Sequence, residues 1–307
     1  MWFRNLTLFR FPKQIAVSLN AMETSLEQHR LRSCGPLELA TRGFVSPLGR
    51  GEEQLTHQIG SFALFTMGGE DKLLPSAVVN EALALKLETI VEEEGRRVGA
   101  PERKRLKEEV MTDLLPRAFV RPVRTSGYFD LKQGWLVLDT ASRKVAEETV
   151  SQLREAFGTL PVVPATPEES PRRLMTEWLT HGKLHAGFTL EDECELRDPT
   201  ETGAIVRCRR QDLDTDEVRE HLKSGKQVFQ LGLTWEDRIS FVLGEDLTIR
   251  KLRFLDAILD ELDDEARESP MAELNASFTL MTLELERFLL KIEEVFGVPR
   301  PTDSDRN

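Results

Sequence analysis

Three short runs concentrate the side chains best suited to chemistry in this sequence, and that chemistry is phosphate contact. Leu115-Pro116-Arg117-Ala118-Phe119-Val120-Arg121-Pro122-Val123-Arg124 sets Arg117, Arg121 and Arg124 among apolar residues between two prolines. Guanidinium groups make forked contacts to phosphate oxygens, and prolines hold a loop extended so that several act together. Phe119 reads either as an exposed aromatic anchor or as a plug of the local core, where an isolated Phe usually sits. The second run is Val206-Arg207-Cys208-Arg209-Arg210-Gln211-Asp212. On a strand Arg207 and Arg209 share one face, and Cys208 and Arg210 the other. Arg210 and Gln211 at the strand end are then placed to reach a polyanion; alternatively, the arginines only guard a solvated sheet edge against aggregation. The third run, Arg250-Lys251-Leu252-Arg253, is weaker, and its simplest role is pairing with acidic helices near the C-terminus. Dispersed Arg and Lys clusters without a base-reading motif suit phosphate contact without sequence preference.

Enzymatic signatures are mostly missing. The chain has no Gly-x-x-x-x-Gly-Lys-Ser/Thr phosphate loop, no Gly-x-Gly-x-x-Gly after a strand and no Gly-x-Ser-x-Gly elbow. No cofactor is therefore expected. His181 and His185 lie four apart, with Cys194 and Cys208 following, a combination that could hold zinc in a metal-dependent hydrolase. Gly182 and Gly187 interrupt that helix, no Glu stands between the histidines, and no Cys-x-x-Cys completes the set. Surface histidines and buried thiols are the simpler reading. The carboxylate pairs Asp263-Asp264 and Glu293-Glu294 fall on a generally acidic helical surface and read as solvated.

The elements that must position these residues belong to a chain of 307 residues, a length that favours about two domains. With 40% hydrophobic and 31% charged residues, the composition is that of a globular protein. No run reaches the length of a membrane span, Met1-Trp2-Phe3-Arg4 opens no signal peptide, and three cysteines make no disulfide framework, so a reducing cytoplasm is expected. The net charge of −12 argues against a nucleic-acid partner only until its distribution is read. Residues 1–160 carry 22 basic and 21 acidic side chains, whereas residues 255–307 carry 5 and 14. A binding surface depends on local segregation of sign, which a net charge does not describe.

Periodicity gives an order of elements. Trp2–Phe11 reads as a strand and Ser18–Arg30 as a helix, followed by strands over Leu37–Val45 and Ser61–Thr66 with breaks at Pro47-Leu48-Gly49 and Gly68-Gly69. Helices follow from Pro75, with a broad apolar face of Val78, Val79, Ala82, Leu83, Leu85, Leu87 and Ile90, and from Pro101, with Leu106, Val110, Leu114 and Leu115 buried. Strands at Arg124–Phe129 and Gly134–Asp139, a helix at Ser142–Phe157 and a short strand at Leu160–Val163 close the first part. Pro161, Pro164, Pro167 and Pro171 mark the best linker, dividing residues 1–165, with a helical projection over about 76–123, from residues 166–307. The second part reads as a helix at Arg172–His181, strands at Gly187–Leu196 and Ala204–Cys208, and a helix at Thr215–Lys223. Strands at Gln227–Thr234, Arg238–Leu243 and Leu247–Phe254 follow, then helices at Leu255–Glu268 and Ser277–Phe296. Adjacent strands without strict alternation imply an α+β fold with antiparallel sheets.

Taken together, these segments resemble the RdgC family of bacterial recombination-associated proteins. The likeness is carried by Met1–Phe11, Phe44-Val45-Ser46-Pro47-Leu48-Gly49, Lys72-Leu73-Leu74-Pro75, Leu114–Phe119, Leu160–Pro164, Leu174-Met175-Thr176-Glu177-Trp178-Leu179 and Cys208–Leu213. The resemblance implies a ring-shaped α+β homodimer whose basic central hole takes up double-stranded DNA without sequence preference, single-stranded DNA being a further candidate. It also implies association with the nucleoid and restraint of the RecA recombinase by competition for DNA; with enzymatic signatures mostly missing, a non-enzymatic DNA-binding protein is expected. On this pattern Phe119 lies at a dimer contact, and Arg117, Arg210 and Gln211 fall at positions tied to DNA. Arg121, Arg124 and Arg209 are their basic neighbours and join the expected DNA-binding set. Some members have Lys-Lys-Gln where this chain has Arg209-Arg210-Gln211; the charge is kept, but Arg forks onto phosphate where Lys acts as a point charge.

Overall fold

Antiparallel pairing organises the described residues into two sheets braced by one long helix. The computed structural model describes residues 1–12, 19–200, 203–261 and 269–301. In chain order the first part comprises β1 (Thr7–Arg10), α1 (Leu19–Glu27), β2 (Ala40–Val45), β3 (Thr56–Ile59), β4 (Phe62–Leu73), α2 (Ser76–Glu94), α3 (Ala100–Leu114), a 3₁₀ turn (Leu115–Arg117), β5 (Phe119–Asp130), β6 (Trp135–Leu138), α4 (Arg143–Phe157) and β7 (Val163–Pro164). The second part comprises α5 (Pro171–His181), β8 (Phe188–Arg197), β9 (Ile205–Arg209), α6 (Asp216–Lys223), β10 (Gln227–Trp235), β11 (Ile239–Gly244), β12 (Ile249–Phe254), α7 (Asp256–Leu259) and α8 (Pro270–Phe296). The mixture is the expected α+β class.

The first sheet has seven strands in the order β2-β4-β5-β6-β1-β7, with β3 following β2 along the outer edge of β4. The second has five, in the order β12-β11-β10-β8-β9. The N-terminal segment joins them: Leu6 exchanges backbone hydrogen bonds of 2.8 and 3.0 Å with Ile249, and Leu252 donates to the Arg4 carbonyl at 2.8 Å. The stretch Trp2–Phe11 is therefore not one strand. Residues 4–6 serve β12, and only Thr7–Arg10 pair with β6.

α8 presents Phe278, Met281, Leu285, Phe288, Leu289, Ile292 and Phe296 at helical spacing, all buried. This stripe packs on Tyr128 of the first sheet and on Trp235 and Phe241 of the second, with ring centroids 6.1, 5.5 and 4.9 Å apart for Tyr128–Phe278, Trp235–Phe288 and Phe241–Phe288. The opposite face of the first sheet is covered by α1 and α4 through Met22, Leu26, Val150 and Leu153 over Phe44, Phe65 and Phe129. Glu293 is not simply solvated. It pairs at 3.2 Å with Arg10, which is buried and lies 4.0 Å over the Trp135 ring. α8 begins seven residues earlier than periodicity suggests, with the Ser269 hydroxyl accepting from the Ala272 amide at 3.1 Å as its N-cap. Asp263-Asp264 and the rest of 262–268, the expected end of the preceding helix, lie outside the described residues, as does Ser18.

Three further expectations are corrected. Gly68-Gly69 is not a turn but lies inside β4, which pairs with β5 over twelve residues from Phe62↔Asp130 to Leu73↔Phe119. The run after Pro116 is accordingly a strand rather than an extended loop. Pro122 is tolerated there because β6 covers only Gly127–Asp130, leaving that end of β5 as an edge that needs no N–H. The broad apolar face of α2 is only partly buried. Val79 and Leu83 pack on α3, while Val78, Leu85 and Val91 are exposed, because a hairpin of two helices covers a single stripe of each.

Candidate nucleic-acid interface

The second and third basic runs, 40 residues apart in sequence, meet in one open groove of about 780 Å³ on the second sheet. Arg209 and Arg210 stand on one side, Lys251 and Arg253 on the other, and Arg4 joins them from the N-terminal segment. Glu191, Asp192 and Glu193 supply the acidic lining, so the local balance is basic although the chain is acidic overall.

Irregular backbone builds this groove. Between Leu231 and Leu233 of β10, β8 advances from Cys194 to Leu190, so the three acidic residues lie in a bulged stretch. Between Ser240 and Val242 of β11, β12 advances from Arg253 to Arg250, which makes Lys251 part of a bulge with φ of 51°. Bulges bend a sheet and re-aim side chains. The floor between them contains Gly232, where a Cβ would come within 3.0 Å of the Glu191 Cβ and the Glu193 carbonyl oxygen.

Arg207, Arg209 and Arg210 have different fates. Arg207 donates to Glu195 at 2.6 Å, and Arg197 donates to the other oxygen of that carboxylate at 2.6 Å. Burial pushes the Glu195 pKa up, but the two arginines outweigh it and hold the carboxylate below its ordinary range. Arg209 and Arg210 are exposed and have no ion-pair partner among the described residues. Arg210 does not continue the strand face with Cys208. It lies past the end of β9 in the left-handed region, φ 56°, and the next amide, of Gln211, donates to the Asp192 carbonyl at 3.3 Å. Among the described residues the third run does not pair with the C-terminal helices: Lys251 reaches Glu193, and Arg253 donates to the Ser240 hydroxyl at 3.1 Å. Arg4 escaped notice in the sequence because a lone arginine in an aromatic strand pattern carries no signal.

The first run lies elsewhere, on the first sheet beyond the end of the paired core. Its arginines do not share a face. Arg121 donates to Asp71 at 3.0 Å, and Arg42 pairs with the same carboxylate at 2.7 Å. Burial raises the Asp71 pKa, and the hydrogen bonds from Arg42 and Arg121 more than offset this. Arg124 points to the other face and donates to the Ser46 carbonyl at 2.6 Å. Desolvation and then the charge of Arg50 lower its pKa, but an arginine remains charged at physiological pH. Arg117, in the 3₁₀ turn, is exposed and has no ion-pair partner among the described residues. Phe119 is 82% exposed, so it does not plug the core of its own chain.

A family model described as "Putative exonuclease, RdgC" matches residues 1–299. The chain belongs to the RdgC family. Its relatives include proteins named "Recombination-associated protein RdgC". The one from Xanthomonas campestris pv. campestris (strain B100) is 48% identical over 301 residues, 98% of this chain and 99% of that protein. Those from Xanthomonas oryzae pv. oryzae (strain MAFF 311018) and Stenotrophomonas maltophilia (strain R551-3) are 47% identical over 294 residues and 46% over 301. They cover 95% and 98% of this chain, and 97% and 99% of their own lengths. The resemblance seen in the landmark segments is confirmed.

The four residues weighed for zinc do not converge in this RdgC-family chain. Cys194 and Cys208 are cross-strand partners buried in the core, whereas His181 and His185 are exposed, His185 resting against Trp178. Among the described residues, no group of three or more His, Cys, Asp or Glu side chains is arranged to hold a metal ion. No helix among them is long and apolar enough to cross a membrane. Burial, followed by the neighbouring Cys208, pushes the Cys194 thiol far above the usual thiol range. Cys34 is half-buried, with Sγ 3.3 Å from the Glu38 carbonyl. A thiol reagent at pH 8 is therefore expected to modify Cys34 first and both core thiols only on unfolding. Rapid modification of all three in the native protein would contradict this packing.

Proposed function

We propose that this protein binds the phosphate backbone of double-stranded DNA, without sequence preference and without a catalytic step of its own. The observation that carries the reading is the exposed pair Arg209 and Arg210 at the mouth of a locally basic groove, free of ion-pair partners among the described residues. Two guanidinium groups offered to solvent by an otherwise acidic protein are available to fork onto phosphate oxygens. Membership of a family whose curated relatives are named for recombination makes DNA the polyanion of choice.

The working form is a homodimer closed into a ring around the duplex. Support comes from the far end of the paired strands β4 and β5, where Phe119, Leu73 and Val120 are exposed, as are Val78 and Leu85 of α2. Such a patch on a monomer calls for a partner, and a second copy would bury it reciprocally. A ring occupying duplex DNA would limit the access of RecA and reside on the nucleoid; this part rests on the family's association with recombination. Arg117 lies close to the same patch in sequence and would contact DNA from the 3₁₀ turn before β5, with Arg121 and Arg124 adding positive field.

Arg210→Ala combined with Gln211→Ala is expected to weaken binding to all duplexes alike, since phosphate contacts carry no sequence information directly. The slope of log affinity against log salt should shrink by about 1 for the charge removed. A loss confined to particular sequences would refute backbone binding. Degradation of an end-labelled duplex by purified protein with Mg²⁺ would instead favour the exonuclease in the family description.

A further inference from the structure

We infer that Lys251 and Glu193 form a latch in the groove: Glu193 holds Lys251 while the groove is empty, and a backbone phosphate takes Lys251 over when duplex DNA enters. This rests on the DNA-binding reading and adds a contact, and a competitor for it, that the basic runs alone do not assign.

The pair is geometrically unusual. β8 and β12 are separated by β10 and β11, so in a flat sheet their residues would stand about 14 Å apart, three strand spacings. Lys251 Nζ nevertheless lies 2.8 Å from Oε1 and 2.5 Å from Oε2 of Glu193. Two long side chains reach over β10 and β11 to make this contact; both ends lie at register shifts, and Gly232 puts no side chain between them. Lys251 adopts a left-handed backbone that is unfavourable for a residue with a Cβ, and Arg210, facing the same groove, does so too. Two strained basic residues in one groove fit a site that aims charge, because strain of this kind collects at ligand clamps.

The surrounding charges give the pair its role. Lys251 shares the groove with Arg4, Arg209, Arg210 and Arg253, all of which raise the local positive potential. Glu193 is the direct cross-strand partner of Arg209 and also the ligand of Lys251, so one carboxylate offsets charge on both sides. The pair is exposed on the lysine side, where an ion pair in water contributes little net stability. It is therefore readily exchanged. A phosphate diester offers Lys251 the same charge, while Glu193 competes with that phosphate for the same ammonium group.

The test is fluorescence anisotropy of a labelled duplex with the full-length protein over a range of salt concentrations. Glu193→Gln is expected to tighten binding about two- to fivefold, the scale of an exposed ion pair. Lys251→Gly keeps the backbone, because glycine accepts positive φ, and should weaken binding and reduce the salt slope by about 0.9. Lys251→Asn, which also tolerates that conformation, serves the same purpose should the glycine variant not fold. Adding Glu193→Gln to the Lys251 variant should then restore little. Equal tightening by Glu193→Gln with or without Lys251 would reduce Glu193 to a general field effect and overturn the latch. So would an unchanged slope in Lys251→Gly, and in that case wild-type binding would leave the DNA reading standing. Wild-type protein with no affinity for the duplex at low salt would remove the reading itself.

Discussion

Phe288→Ala should lower the stability of the protein by about 3–5 kcal/mol. Phe288 is fully buried on α8, with its ring 4.9 Å from Phe241 and 5.5 Å from Trp235. Both neighbours belong to paired strands, β11 and β10, whose backbones are fixed by the sheet. They cannot close over the missing ring, so the cavity term adds to the lost transfer free energy. The stripe of α8 reaches both sheets, so the cavity weakens the brace on which the groove depends. Urea unfolding should show a lower midpoint with an unchanged slope if the native fold is retained. A loss below about 1 kcal/mol would mean that the helix is not the brace described.

The second large effect is expected from Phe119→Ser, and it should appear in assembly and not in folding. Phe119 is 82% exposed, so removing it costs the single chain almost no packing. Burying a Phe contributes about 1.5–3 kcal/mol, and a two-fold axis would use the contact twice. Loss of both corresponds to about 10²- to 10⁴-fold weaker association at that contact, since about 1.4 kcal/mol is a factor of ten. Sedimentation of wild type and variant, with a thermal melt of each, checks the separation. If one contact of a ring opens, retention on closed circular duplex should fall more than affinity for a short linear duplex. A variant that stays a closed dimer, or one that melts far earlier than wild type at a concentration where both are monomeric, would contradict a role between subunits.

The order of elements was largely legible because proline and glycine punctuate it where physics demands. Pro101 opens α3, Gly95 ends α2 with φ of 64°, and Gly297 ends α8 with φ of 59°. The same logic failed at Gly68-Gly69, where glycine marks close approach and not a turn. A Cβ at Gly68 would lie 2.7 Å from Val45 Cγ1, and one at Gly69 would lie 2.7 Å from Arg42 Nη1. Sequence cannot separate these two uses of glycine without the neighbouring strand. Arg209, Arg210 and the run around Lys251 could be singled out individually as basic. Their union could not, since it depends on strand order and on bulges at Glu191–Glu193 and Lys251. Non-glycine residues in the left-handed region leave no trace in composition, so the aim of Arg210 and Lys251 was hidden. The arginines of the first run show the reverse failure: they cluster in sequence, but alternation along β5 sends Arg121 and Arg124 to opposite faces.

The most direct test of backbone recognition is the affinity of the wild-type protein for several duplexes of unrelated sequence and equal length, measured across a salt series. Closely similar affinities are expected, falling together with one steep common slope as salt rises. Affinities that differ by more than about tenfold between sequences, or that do not respond to salt, would contradict backbone recognition.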